Sequence, residues 1–167
     1  MEVFEAARTI LAIRRYQDRP VSEEVLRRIL EAGRLTGSAR NRQPWQFIVV
    51  QDPATLRQLG ALAETGPYIA QAPLAIVVTI EQTRFAIPDS SRAIQSMVLT
   101  AWADGVGSNW VASGGQEVKA LLGIPAEMEM VAILPFGYPV GPVGRGRKQR
   151  KSLGEVADRE RYGQPFD

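Results

Sequence analysis

Apolar residues recur along the chain in two distinct periods, and their alternation predicts its elements. Val3, Ala6, Ala7, Ile10 and Leu11 fall at helical spacing and predict an N-terminal amphipathic helix ending near the Arg14-Arg15 pair, whose charges suit a helix C-terminus. After Pro20, Ser22 is placed to cap a second helix with Glu23 and Glu24 in its first turn, and Val25, Ile29, Ala32 and Gly33 line one face as far as Gly37. Residues 47–50 form a short apolar strand, and Asp52-Pro53 then reads as an N-cap followed by proline at the first helical position, opening a helix through Leu56, Leu59 and Ala63. Gly66-Pro67 stops it. Residues 74–80 are a continuous apolar run, the signature of a strand buried on both faces, so helices must cover both sides of the sheet. Asp89 or Ser90 caps a third long helix whose Ala93, Ile94, Met97, Val98, Ala101 and Trp102 make a core stripe up to Gly105. A short strand over 109–112, a brief helix to Leu122 stopped by Gly123, and a last strand over 130–134 complete the pattern. Beyond Gly137-Tyr138-Pro139 the periodicity fades into a Gly-, Pro- and Arg-rich tail of the kind that needs something to lie on.

Composition narrows the class. At 167 residues, 45% apolar and 23% charged, the chain is ordinary for one soluble globular domain, with residues 1–140 as its core and 141–167 as a basic tail. The longest apolar run contains Pro73 and is far short of a membrane span, and Glu2 and Glu5 stand where a signal peptide needs basic and apolar residues, so the expected location is cytoplasmic, with no membrane partner. There is no Cys and no His, which excludes disulfides, thiol nucleophiles, Ser-His-Asp machinery and nearly every zinc, copper or haem site. Demanding chemistry must therefore be carboxylate-based or belong to a bound cofactor. Net charge is only +2, yet Arg145, Arg147, Lys148, Arg150 and Lys151 crowd one short segment, which points to a local anionic group. No nucleic-acid-binding motif or aromatic platform accompanies that segment, so no nucleic acid is expected as a partner.

One stretch is more polar than a connection requires. Residues 37–43 carry Ser38, Arg40, Asn41, Arg42 and Gln43 immediately before the first strand, and Pro44 pushes the preceding residue toward an extended conformation, so the loop reaches the strand in a defined geometry. Such a loop either satisfies its own turn groups or holds a ligand.

Taken in order, Ala12-Ile13-Arg14-Arg15-Tyr16, Ser38-x-x-Asn41-x-Gln43-Pro44-Trp45, Ala72-Pro73, Gly105-x-Gly107-Ser108-x-Trp110, Gly137-Tyr138-Pro139 and Lys148-x-Arg150 followed by Val156 closely resemble the nitroreductase (flavin reductase) family, over nearly the whole chain. The resemblance implies an α+β sandwich, a mixed and mostly antiparallel sheet covered by helices on both faces, with an extended C-terminal tail embracing the partner of a homodimer. It implies FMN at the dimer interface, NAD(P)H as co-substrate, and a small nitroaromatic, quinone or similar acceptor; the alternative is a flavin-binding sensor or carrier without turnover. By the same resemblance Lys148 and Arg150 would hold the FMN phosphate, Arg14 with Arg15 would supply N-terminal cationic contacts, and Ser38 and Asn41 would reach the flavin of the partner subunit. Ser113 and Gly114 fall where the family brings backbone close to the flavin ring. Where the family usually has a first Arg and a Ser that also hold the cofactor, this chain has Ile10 and Ala12. Either Arg15 or Arg8 substitutes, or the tail carries more of the phosphate, or the cofactor is bound more weakly or is a relative of FMN.

Overall fold

A sheet of four strands in the order β1-β2-β4-β3 divides the protein into two apolar layers, every ladder in it antiparallel. The computed structural model describes residues 1–112, 115–141 and 148–166. In chain order the helices are α1 (Val3–Thr9), α2 (Glu23–Arg34), α3 (Pro53–Leu62), α4 (Ala86–Ala103) and α5 (Gly115–Leu122). The strands are β1 (Trp45–Val50), β2 (Leu74–Glu81), β3 (Gly107–Ser108) and β4 (Met128–Gly137). Among the described residues no helix is long and apolar enough to cross a membrane.

Strand β2 carries the architecture. Its side chains alternate between faces: Leu74, Ile76 and Val78 join Leu26, Ile29, Ile94 and Met97 of α2 and α4 on one side, while Ala75 and Val77 meet Leu56, Leu59 and Val118 of α3 and α5 on the other. Strand β4 alternates likewise, with Ala132, Leu134 and Phe136 on the first side and Ile133 on the second. Burial on both faces explains the nearly continuous apolar run in sequence, whose one polar member, the buried Thr79, donates its hydroxyl to Gln46 O. The α4 stripe of Ala93, Ile94, Met97, Ala101 and Trp102 is buried as expected.

Boundaries set by local chemistry hold well. Ser22 Oγ accepts the Val25 N–H at 3.3 Å and Asp52 Oδ2 accepts the Thr55 N–H at 2.8 Å with Pro53 behind it, so both predicted caps start their helices. Gly123 ends α5 in the left-handed conformation at φ 66°.

Boundaries set by tertiary contact differ. The first helix ends at Thr9, well short of Arg14. Residues 12–16 are instead drawn along the sheet edge: Ala12 bridges Ser108, the Ile13 N–H donates to Ser108 O at 2.8 Å, and Tyr16 bridges Pro139. Glycine permits this approach. A Cβ at Gly107 would collide with Ile13, and one at Gly137 would lie 2.8 Å from Tyr16 and Pro73. Helix α4 begins at Ala86, before the expected caps, with Phe85 at the N-cap and no side-chain cap. The short strand expected at 109–112 forms at Gly107–Ser108, leaving Val111 as a single bridge to Ile133.

Candidate functional site

The segment that breaks out of α1 forms one wall of a cleft. Ile10, Leu11 and Ala12 face Ile94, Gln95 and Val98 of α4, and Ser108, Asn109 and Trp110 close the end, enclosing about 190 Å³. Asn109 is fixed from behind by its Nδ2 donating to Tyr68 Oη, while Trp110 leaves its ring exposed. Tyr16 braces the segment from below: its buried phenol donates to Ile13 O at 2.7 Å. Burial pushes that phenol above its ordinary pKa, with the Tyr68 hydroxyl acting in the same direction and Arg14 opposing it.

Beside the end of α1, cations from distant parts of the chain meet. Lys148 Nζ donates to Ala7 O, near the end of α1, at 3.2 Å. Partial burial holds this ammonium below the ordinary lysine pKa, and the Arg150 and Arg8 guanidiniums lower it further. Arg8 is forked onto Glu5 at 2.9 and 2.8 Å. Arg150 is exposed and spends one nitrogen on Gln149 O at 2.9 Å. Both Arg14 and Arg15 point into solvent from the segment pinned against β3 and β4. The donor set suits a phosphate dianion: an ammonium with two N–H groups still to place, and guanidiniums with planar forks. At about 190 Å³ the open cleft is smaller than the ~300–1,000 Å³ that ligand pockets ordinarily span.

The Ser38 and Asn41 loop lies elsewhere on the chain, at the end of α2 against the start of α4. Its backbone is unusual: Arg40, Asn41 and Gln43 sit at φ 55°, 54° and 52° without being glycine. Left-handed backbone costs an L-residue roughly 1–2 kcal/mol, less for Asn, so something must hold it. Ser38 Oγ accepts the Gln43 N–H at 2.8 Å, closing the loop on itself. Thr36 Oγ1 bonds Ser96 Oγ at 2.9 Å, and the Asp89 carboxylate accepts the Ala39 N–H with both oxygens. Asn41 itself is exposed. Among the described residues no hydrogen bond or ion pair joins this loop to Lys148, Arg150 or Arg14.

The structure therefore brings Lys148 and Arg150 together with Arg8, sets Arg14 and Arg15 on the same N-terminal segment, and holds Ser38 and Asn41 on a separate loop that packs on α4. Ser113 and Gly114 lie outside the described residues. Ile10 and Ala12, which break the family pattern, line the cleft wall. Sequence reading missed three contributors. Gln95 has no local signal beyond its place one turn before Leu99; Asn109 sits inside a recognised motif as its variable position; Asp89 read as a helix cap, because a carboxylate beside Ser90 and Ser91 has that appearance in sequence.

Among the described residues, strand β1 has no partner strand on its outer edge. Beside it runs an open groove of about 980 Å³ between α2 and β1, floored by Leu30, Trp45 and Phe47 and rimmed by Arg27, Arg28 and Arg34.

Comparison with known proteins gives a consistent result. The model described as "Nitroreductase family" matches residues 8–77 and 63–138. A protein of Methanothermobacter thermautotrophicus, provisionally named NADH dehydrogenase/NAD(P)H nitroreductase, is 34% identical over 149 residues, covering 83% of this chain and 78% of its own. A crystal structure from Parabacteroides distasonis under the same provisional name superposes with a TM-score of 0.87 at 25% identity, covering 96% of this chain and 98% of that one. An FMN-dependent nitroreductase from Clostridium difficile superposes at 0.81 with 26% identity, covering 92% and 94%.

Proposed function

Because the chain belongs to the nitroreductase family, we propose that it is an NAD(P)H-dependent oxidoreductase that binds FMN at the interface of a homodimer and reduces a small nitroaromatic, quinone or similar acceptor. The observation that carries this reading is the meeting of Lys148, Arg150 and Arg8 beside the end of α1, whose continuation, Ile10 to Ala12, walls a cleft of only about 190 Å³. A phosphate dianion matches the first half of that observation. A second subunit matches the other.

When bound, FMN would supply the redox chemistry of hydride transfer between NAD(P)H and the acceptor. The chain's own residues bind and orient. Lys148, Arg150 and Arg8 neutralise the phosphate; Arg8 replaces the charge absent at Ile10. Ile10, Leu11, Ile94 and Val98 give the cofactor a dry wall, which strengthens every polar contact at its edge. Arg14, exposed on the braced segment, would offer positive charge to the bound cofactor and so favour its reduced form. From the partner subunit, Ser38 and Asn41 contribute hydroxyl and amide groups on a loop already in its final shape, so little ordering accompanies binding. Ser113 and Gly114 complete the expected contacts.

The dimer reading draws support from surfaces that one chain leaves uncovered. Phe4 and Val3 of α1 are about four-fifths exposed, at 79% and 77%. The outer edge of β1 and its groove are the proposed seat of residues 141–167 of a second copy, which would add backbone hydrogen bonds to an edge that otherwise invites nonspecific pairing.

The test is direct. The purified protein should carry or take up one FMN per chain and should oxidise NADH or NADPH with a quinone or nitroaromatic present. FMN uptake without turnover would assign a carrier or sensor, a reading that the replaced contacts at Ile10 and Ala12 favour. Failure to bind any flavin would remove the proposal.

A further inference from the structure

Asp89 is 2% exposed and stands in the first turn of α4, where the helix N-terminus favours a carboxylate. It does not cap that helix, which starts before it on Phe85. Its Oδ1 and Oδ2 lie 3.1 and 3.2 Å from the Ala39 nitrogen, fifty positions away in sequence. A single backbone N–H thus lies between both oxygens of a buried carboxylate, an expensive arrangement for holding an ordinary turn. The turn is not ordinary, since Arg40, Asn41 and Gln43 follow in left-handed backbone.

We infer that Asp89 is a positioning residue for the cofactor: a strut from α4 that holds residues 38–43 in the one shape that presents Ser38 and Asn41 to the flavin, without touching the flavin itself. Three observations bear on it. The strain is concentrated directly after the bonded residue, so releasing Ala39 lets Arg40 relax first. The other restraints act at different places: Ser38 Oγ to Gln43 N spans the loop, and Thr36 to Ser96 fixes the end of α2. Among the described residues, the hydrogen bonds that join residues 39–43 to a core helix are those of Asp89. Finally, the carboxylate accepts rather than donates, which a loop N–H requires and which Asn also satisfies with its amide oxygen.

The inference rests on the flavin reading above, and its test separates the two. Asp89→Asn keeps an acceptor; Asp89→Leu keeps the volume without one. Arg40 and Arg42 are exposed in the loop, so trypsin cleavage after them reports its order in the absence of flavin. Asp89→Leu should be cleaved there about tenfold faster than the parent protein and bind FMN about tenfold more weakly by fluorescence titration, while Asp89→Asn stays within about threefold on both measures. Equal impairment of both variants, or unchanged cleavage of Asp89→Leu, overturns the inference. Should Asp89→Leu fail to fold, hydrogen exchange at the Ala39 amide of the parent and of Asp89→Asn decides: slow exchange in both supports the strut, and exchange at the rate of an open loop overturns it. A parent protein that takes no FMN defeats the flavin reading, and slow Ala39 exchange there would leave a strut with no cofactor to position, overturning the inference as stated.

Discussion

Replacing Lys148 by Met keeps the aliphatic stem and removes the charge, and the structure fixes what should follow. The ammonium spends one N–H on Ala7 O and has two left for an anion. Losing a charge-assisted hydrogen bond costs on the order of 1.5–3 kcal/mol, or roughly a tenfold to hundredfold loss of affinity. Lys148 belongs toward the upper end because it is half-buried, whereas Arg150→Ala belongs toward the lower because Arg150 is exposed and screened by water. The assay is a fluorescence titration of apoprotein with FMN and, separately, with riboflavin, which lacks the phosphate. FMN affinity should fall by that factor while riboflavin affinity barely changes. pH supplies an independent arm. The folded ammonium loses its proton more readily than an unfolded lysine, so FMN affinity should decline as pH rises through that depressed value, below the ordinary lysine range, and riboflavin affinity should not. Folding stability moves the other way there, rising slightly with pH, because the folded state has already released a proton that the unfolded state still holds. Equal losses for both ligands would mean that Lys148 acts through folding, and no loss for either would return the basic tail to a solvated run of charge.

Arg40→Gly should stabilise the apoprotein by about 1 kcal/mol in urea unfolding, since glycine adopts φ 55° without steric cost, while Asn41→Gly should change it little because Asn already tolerates that region. For the same reason Asn41→Ala should lower stability as well as flavin affinity, so Asn41→Gly is the cleaner test of ligand contact. Gly107→Ala should destabilise by roughly 1–3 kcal/mol through its collision with Ile13 and shift flavin affinity with it, read by thermal unfolding and titration. Removing residues 141–167 should lower dimer content in analytical ultracentrifugation and flavin content in absorbance together.

How far sequence reaches depends on the range of the force involved. Leu74 to Glu81 was legible as a doubly covered strand because its neighbours on both faces are apolar and the run itself records that. Ser22 and Asp52 were legible because a cap acts over three residues. The end of α1 was not, because Ile10 to Arg15 have helical periodicity and leave the helix only to pair with Ser108, Tyr138 and Pro139. Lys148 and Arg150 stood out by charge density and family order and Arg8 was one of two substitutes on offer, but that Arg8 lies near Lys148 shows only when Lys148 is seen against Ala7. Nor does any residue type announce three left-handed side-chain-bearing positions, so the Asp89 contact that accompanies them had the look of a cap.

The bond from Lys148 to Ala7 spans 141 positions, and that separation has a consequence in time. Residue 8 leaves the ribosome long before residue 148 is made, and closing so wide a loop is an entropic cost met only once β4 has docked against β2 and returned the chain to α1. A nascent or prematurely ended chain can therefore build both apolar layers and still lack the cationic cluster. Loading of an anionic ligand there becomes a report on completed synthesis, and ligand present during translation can stabilise the finished fold without accelerating its earlier stages.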